Sequence, residues 1–231
     1  MILPNAKHFE RENTEQLSAS LAKPASYKLL YWNVFGVAGS SRDMLEYGGA
    51  KWENLKLEGD WSQEKLATPF HVLPVLSIKT EDGKDLTISE TNIVELYLAK
   101  QFGLLGSNDY EENLVRMCHS SSSAVQINMA ITVTWNLPKK HLADNGNNGH
   151  YVGNKLTLAD IRTANVIDHW QTLPEGKEIM EKVDKSEALM KVHAAVVNEP
   201  RIATWRASKL YCELEKSSRQ FFANPFAVRG G

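Results

Sequence analysis

Hydrophobic residues in the first half of the chain fall into short runs typical of β-strands, with helical segments between them. The strand-like runs are rich in aromatic and aliphatic residues and lie at 27–32, 51–57, 72–78 and 86–88. One helix is predicted at 40–47 and another from Thr91, where apolar residues recur at helical spacing. This order predicts a βαβ unit with parallel strands and a right-handed crossover, followed by a ββα unit.

The second half of the chain carries only helical patterns, so it is predicted to form an all-α domain. Its helical segments cover about 111–135, 157–171, 177–198 and 201–222. Residues 136–150 contain Pro138 and a run rich in Asn and Gly, and they are predicted to form a long loop. Thr157 to Asp160 is a capping box, which marks a helix start.

These patterns divide the chain into four parts. Residues 1–26 form a polar N-terminal extension, 27–103 an α/β domain, 104–222 an all-helical domain and 223–231 a tail.

Composition and charge argue against several kinds of partner. The 231 residues are 23% charged with a net charge of −2, so nothing attracts the chain to nucleic acid or to an acidic membrane. No apolar run reaches the ~18 residues of a membrane span, and the first residues lack a signal-peptide core. The histidines lack metal-ligand spacing, and Cys118 and Cys212 lack that of a disulfide framework. We expect a cytoplasmic protein without a metal, with both thiols buried.

The segment 72–98 combines a β-hairpin with an unusual proline. Asp82-Gly83 between two β-branched runs predicts the hairpin turn. Pro74 falls inside the first predicted strand, although proline cannot donate to a sheet ladder. A cis peptide bond between Leu73 and Pro74 at the start of the strand is one way to reconcile these observations.

The next helix start has the outline of a small anion site. Amide groups at a helix N-terminus favour a carboxylate or phosphate, and Glu90 beside Thr91 could hold an ammonium group. The pair therefore suits the head group of an α-amino acid. The alternative is structural: Thr91 caps the helix, and Glu90 interacts favourably with its positive end.

Five features occur in an order that matches a known family. They are Tyr27 to Trp32 followed by Gly36, Ala38 and Arg42; Trp61 with Lys65; Leu73-Pro74; Glu90-Thr91; and Gly153 ahead of the capping box. Between about residues 27 and 222 the chain resembles the cytosolic glutathione transferases, in particular the tyrosine-type, sigma-like class. The resemblance implies an α/β thioredoxin-like N-terminal domain (βαβ–ββα) followed by an all-α C-terminal domain.

The resemblance implies that Tyr31 is the catalytic residue. Its hydroxyl would donate to the sulfur of glutathione, which stabilises the thiolate and lowers the pKa of the thiol. The thiolate would then attack a small electrophile. Ser40 and Ser41 stand where serine-type classes place their hydroxyl, at a helix start, and are the alternative; a purely structural Tyr31 in the core is another.

The resemblance also implies a binding site for glutathione as co-substrate, formed by Trp61, Lys65, Leu73, Pro74, Glu90 and Thr91. The tryptophan and lysine would hold the glycine end of the tripeptide. The backbone before the proline would pair with the cysteinyl residue. The threonine would bind the γ-glutamyl carboxylate, with the glutamate near its ammonium group.

Three departures from the family pattern raise a competing hypothesis. Val37 and Gly39 replace an arginine and a glutamate of the sigma-like pattern, and 113–135 contains no acidic residue to reach across a dimer. Residues 107–156 leave room for one long helix rather than the usual antiparallel pair, at ~1.5 Å per residue. These departures leave both a homodimer and a monomer compatible with the sequence. A non-catalytic structural, storage or interaction protein on the same scaffold is the alternative to an enzyme. A thiol-disulfide enzyme is disfavoured, because no cysteine starts the first helix.

Overall fold

The computed structural model describes residues 13–127 and 136–223, and within them an α/β domain is followed by helices. The first domain contains α1 (Thr14–Leu21), β1 (Pro24–Tyr31), α2 (Gly39–Tyr47), β2 (Trp52–Lys56), α3 (Trp61–Glu64), β3 (Val75–Thr80), β4 (Asp85–Ser89) and α4 (Thr91–Gln101). The strands form one sheet in the order β2-β1-β3-β4. Strand β2 is parallel to β1, whereas β3 is antiparallel to both β1 and β4. The predicted βαβ–ββα order is confirmed.

Pro74, which the sequence placed inside a predicted strand, lies just before the observed strand β3. The Leu73–Pro74 peptide bond is cis, as the sequence suggested, and β3 begins only at Val75. The ladder therefore never needs the amide hydrogen that proline lacks. Strand β1 also begins earlier than predicted, at Pro24, because proline is tolerated as the first residue of a strand.

The second domain is helical. It contains α5 (Asp109–Ile127), α6 (Asn136–Asp144), α7 (Leu158–Gln171), α8 (Gly176–Val183), α9 (Glu187–Val197), α10 (Pro200–Arg206) and α11 (Lys209–Ala223). The capping box before α7 is confirmed, since Thr157 and Asp160 make both of its hydrogen bonds. The end of the helix predicted at 111–135 lies outside the described residues from 128 onward.

The prediction of a loop over residues 136–150 was wrong for the first part of this range, which forms α6. Pro138 falls in the first turn of α6, where a missing backbone N–H costs no intrahelical bond. The Asn–Gly run then ends the helix: Gly146 has φ +75, and Asn147 N–H donates to Leu142 O at 2.8 Å. The expectation of a single helix before Thr157 was therefore also wrong.

Two other predicted helices are each divided in two by a serine. Ser186 N–H donates to Val183 O at 2.8 Å and separates α8 from α9. The hydroxyl of Ser208 accepts from Tyr211 N–H at 3.2 Å, which starts α11 as a separate helix after α10. The Ser208 side chain thus competes for a backbone hydrogen bond, as serine does at helix starts, whereas the Ser186 side chain makes no cap hydrogen bond.

One hydrophobic core spans both domains. It contains Leu29 and Leu76 from the sheet, and Leu158 and Ile161 from α7, all fully buried. Cys118 is buried as expected, but Cys212 is exposed, so the expectation for that thiol was wrong.

Helix α1 packs against the β3–β4 hairpin through hydrogen bonds. The hydroxyl of Ser20 donates to Asp82 Oδ2 at 2.8 Å, and that of Tyr97 on α4 donates to Leu21 O at 3.0 Å. None of the helices between residues 13 and 127 or between 136 and 223 has both the length and the apolar character needed to cross a membrane.

A buried ionic group lies between α4, α5 and α7. Glu95 bonds Arg162 Nη1 through one carboxylate oxygen and His119 Nε2 through the other, each at 2.6 Å, and all three side chains are at most 3% exposed. Burial acts to raise the pKa of Glu95, but Arg162 and His119 outweigh it and hold that pKa below its ordinary value. We call these three residues the Glu95 cluster.

Candidate functional site

The topology brings most of the predicted site residues to one end of the sheet. Tyr31 ends β1 and pairs with Lys56 at the end of β2, while Leu30 pairs with Val75 at the start of β3. Continued by one residue, this antiparallel register places Tyr31 opposite Pro74. Across the next pair of strands, Glu90 N–H donates to Pro74 O at 3.2 Å. Tyr31, the cis-proline and the start of α4 therefore lie side by side.

The Tyr31 hydroxyl is held by the loop that follows its strand. Val37 N–H donates to Tyr31 Oη at 3.4 Å. Gly36 has φ +44, and a Cβ atom there would lie 2.7 Å from the same oxygen. Glycine is needed here for both its backbone conformation and its small size. The loop thus places an amide donor against the phenolic oxygen.

The environment keeps this phenol protonated. Burial raises the pKa of Tyr31 above its ordinary value of 10.0, although the Val37 amide and the guanidinium groups of Arg42 and Arg162 act in the opposite direction. At neutral pH the side chain is therefore a hydrogen-bond donor. Because Val37 already donates to the oxygen, the hydroxyl hydrogen is available to another acceptor.

Arg42 is a residue of this site whose role sequence reasoning missed. Its guanidinium is fully buried, donates to Val34 O at 2.8 Å, Phe35 O at 3.3 Å and Trp32 O at 3.4 Å, and lies 5.9 Å from the centre of the Tyr31 ring. Burial lowers the pKa of Arg42 to about 10, so it stays charged at neutral pH. The available signal was an arginine amid a segment of small and apolar residues.

The start of α4 is the place where the sequence predicts a head-group site. Thr91 is the first helical residue and is buried, and the backbone of Glu90 has the left-handed value φ 81. The carboxylate of Glu90 accepts from Asn92 N–H at 3.1 Å. Glu90, rather than Thr91, therefore caps the helix, so the structural alternative was wrong in its choice of cap. A non-glycine residue in this conformation is a feature that clusters at functional sites.

Trp61 approaches the same end of the sheet through an aromatic contact. Its ring centre lies 5.7 Å from that of Trp32, the residue after Tyr31, in an edge-to-face arrangement. Lys65 is half-buried and follows directly after α3. The helix itself starts at the cap residue Asp60, whose carboxylate accepts from Ser62 N–H at 2.8 Å.

The alternative serines are placed differently. Ser40 is 1% exposed and Ser41 is fully buried, whereas Tyr31 is partly exposed. Across the described residues, no group of three or more His, Cys, Asp or Glu side chains could hold a metal ion.

Comparisons with known proteins agree with this architecture. A sequence model of the family described as "Glutathione S-transferase, C-terminal domain" matches residues 119–209. A glutathione S-transferase of Anopheles gambiae is 27% identical over 191 residues, which cover 70% of this chain and 92% of that relative. S-crystallin SL11 of Nototodarus sloanii is 24% identical over 203 residues, covering 78% of this chain and 95% of the crystallin.

The solved structures agree as well. The glutathione S-transferase of Ascaris lumbricoides superposes with a TM-score of 0.67 at 24% identity, covering 79% of this chain and 96% of that one. The predicted fold class, a thioredoxin-like domain followed by an all-α domain, is confirmed. In sequence and in fold the chain is therefore similar to glutathione S-transferases, in agreement with the resemblance that its motifs indicated.

Proposed function

We propose that this protein is a tyrosine-type, sigma-like glutathione transferase that uses Tyr31 to activate the thiol of glutathione. The observation that carries the proposal is the hydroxyl of Tyr31, which accepts from Val37 N–H beside the cis-proline and the start of α4. The deep burial of Ser40 and Ser41 favours Tyr31 over the serine alternative.

In this proposal the phenol acts as a neutral hydrogen-bond donor. The Val37 amide occupies one lone pair of the phenolic oxygen and aligns the hydroxyl, whose hydrogen is then donated to the sulfur. A donor on the sulfur stabilises the thiolate relative to the thiol and lowers the pKa of the thiol. The thiolate forms a bond to the electrophilic carbon, and either a leaving group departs or the adduct takes up a proton.

The other residues would bind the tripeptide. Leu73 precedes the cis bond and would offer its backbone groups to the cysteinyl residue. Thr91, at the start of α4, would bind the γ-glutamyl carboxylate through its amide and hydroxyl. Glu90 would attract the ammonium group of the same head group, and Pro74 would shape the backbone beside the cysteinyl residue.

The glycine end would lie on the opposite side, toward α3. Trp61 is directed to this end of the sheet by its contact with Trp32, and Lys65 would pair with the terminal carboxylate. The homodimer and the cytoplasmic location expected from the sequence remain predictions.

The proposal is tested by calorimetric titration with glutathione together with an aromatic-halide conjugation assay. Tyr31→Phe removes the hydroxyl and keeps the ring, so we expect glutathione to bind while kcat falls by about 10²-fold. The matched control is Tyr97→Phe, which removes a hydroxyl bonded to Leu21 O on α1. Turnover that is equal in both variants would contradict the role of Tyr31.

A non-catalytic protein on the same scaffold is the second candidate. Its support is the loss of the arginine and glutamate of the sigma-like pattern at Val37 and Gly39, together with the similarity to S-crystallin SL11. The replacement at Gly39 is built into the packing, since a Cβ there would lie 2.4 Å from Asn165 Oδ1. A folded protein that releases no heat with glutathione would favour this candidate.

A further inference from the structure

The loop of residues 32–37, which we call the tyrosine loop, sets the surroundings of the Tyr31 hydroxyl. It carries the Val37 amide that donates to the phenolic oxygen, and Gly36, which packs against it. A small displacement of this loop would lengthen a hydrogen bond that is already 3.4 Å long. The contacts that hold the loop in place therefore determine the position and orientation of the Tyr31 hydroxyl.

Among the polar groups of the loop, Arg42 binds acceptors. Its guanidinium donates to the carbonyl oxygens of Trp32, Val34 and Phe35. The loop also contains a donor that Arg42 cannot satisfy, the buried N–H of Phe35. A buried amide hydrogen without a partner is costly, so the loop needs an acceptor from elsewhere.

That acceptor comes from the last described helix. Ser218 on α11 accepts from Phe35 N–H at 2.8 Å and donates its own hydrogen to Leu214 O at 2.7 Å, and its side chain is fully buried. The Phe35 ring packs beside Leu214, with its centre 4.7 Å from that of Tyr211. Helix α11 thus holds one residue of the loop by both backbone and side chain.

Helix α11 is itself fixed relative to the first domain. Arg206, just before it, donates to Asp43 Oδ2 on α2 and to Asp168 Oδ2 on α7, each at 2.6 Å. The hydroxyl of Ser208 then starts α11 by accepting from Tyr211 N–H. The loop is therefore held between Arg42 in the first domain and α11 in the second.

We propose that Ser218 is a positioning residue for Tyr31: by accepting from Phe35 N–H, it holds the tyrosine loop so that the Val37 amide reaches the phenolic oxygen. Its bearing on catalysis rests on the function proposed above. The positioning itself is a property of the protein without a ligand.

The test compares Ser218→Ala with Ser121→Ala in the full chain. Both variants remove a helical hydroxyl that donates to a backbone carbonyl of its own helix, but Ser121 lies on α5, where it donates to Cys118 O at 2.8 Å, and not beside the tyrosine loop. Two quantities are measured. One is the hydrogen exchange rate of the Val37 amide without glutathione. The other is the pKa of the bound glutathione thiol, followed by the ultraviolet absorbance of the thiolate.

We expect Ser218→Ala to speed exchange at Val37, to raise the pKa of the bound thiol and to lower kcat/KM about threefold to tenfold. The dissociation constant of glutathione should change by less than about twofold, because no group proposed to bind it is altered. Ser121→Ala should leave all of these near the wild-type values. Ser218→Thr, which keeps the hydroxyl, should restore the thiol pKa and the exchange rate.

Equal exchange rates at Val37 in the two alanine variants would overturn the proposal. So would an unchanged thiol pKa in Ser218→Ala, if the wild type activates glutathione. Should the wild type bind no glutathione, the proposed function fails, and the exchange rate alone then decides whether Ser218 holds the loop.

Discussion

The sheet end around Tyr31 and the Glu95 cluster use buried polar groups in opposite ways. In the cluster both carboxylate oxygens are bonded at 2.6 Å and the side chains are excluded from water. The Tyr31 hydroxyl receives a single bond of 3.4 Å and is partly exposed. The cluster joins helices of the two domains through both of its carboxylate oxygens, whereas the hydrogen of the phenol is the one that the proposed function assigns to the sulfur of glutathione. The comparison contrasts buried polar groups that hold the fold with a less tightly bonded group to which we assign a catalytic role.

The largest expected effect is on the Glu95 cluster. Arg162→Met removes a buried charge partner and leaves the carboxylate of Glu95 with His119 alone. Removing one partner of a buried ion pair leaves the other charge uncompensated and costs about 3–5 kcal/mol. The free energy of unfolding should therefore fall by about that amount. Urea denaturation with a constant slope measures the change.

The control for this variant is a pair on the surface. Glu112 and Arg116 lie at i and i+4 on α5, with Arg116 Nη2 2.6 Å from Glu112 Oε1 and both side chains about two-fifths exposed. Arg116→Met should cost less than about 1 kcal/mol. Comparable losses in the two methionine variants would show that burial does not distinguish these ion pairs.

A smaller effect on stability, with a large one on activity, is expected at the tyrosine loop. Gly36→Ala puts a methyl group 2.7 Å from Tyr31 Oη at a positive φ, whereas Gly83→Ala places one at φ +83 with no atom within 4 Å. Both should lose about 1–2 kcal/mol from the backbone conformation. Only Gly36→Ala should also lose about 10²-fold in kcat, because it displaces the hydroxyl.

Thermal unfolding and conjugation rates measured on both glycine variants separate the two effects. If Gly83→Ala loses as much turnover as Gly36→Ala, the loss reflects general destabilisation and not the contact with the phenol.

The smallest effect is a gradual dependence of stability on pH. The pKa of Glu95 lies below its ordinary value of 4.5 in the folded protein. Its contribution to stability is thus fully present above that ordinary value and is lost as the pH falls through the folded pKa. Asp168, bonded to His193 and Arg206, also has a lowered pKa and adds a loss of the same sign.

Glu95→Gln removes the first of these two titrating groups. Although less stable overall, it should lose stability less steeply than the wild type between about pH 5 and pH 3. Denaturation midpoints across this range are the measurement, and parallel curves would mean that Glu95 does not contribute to the acid sensitivity.

Local sequence signals predicted the parts of the site that depend on neighbouring residues. The cis bond before Pro74 and the helix start at Thr91 both follow from the preferences of a few adjacent residues, and both are present. The residues assigned to the site came from the order of short motifs that the family resemblance supplied. Their roles toward glutathione remain predictions.

The supports of the site could not be predicted in the same way. Arg42 is separated by seven residues from one carbonyl that it binds and by ten from another, and Ser218 lies 183 residues from Phe35. No local sequence pattern identifies the hydrogen-bond partner of a buried arginine or serine. Helix α6 was not predicted for a different reason. Proline is tolerated in the first turn of a helix but disrupts a helix interior, and the sequence around Pro138 does not distinguish the two positions.

The sequence by itself determined the strand and helix order, the cis-proline, the capping box and the tyrosine at the end of β1, because these depend on backbone preferences over a few residues. The tertiary structure alone decided which groups surround that tyrosine. Burial makes hydrogen-bond partners obligatory, and only packing determines which donor and acceptor meet.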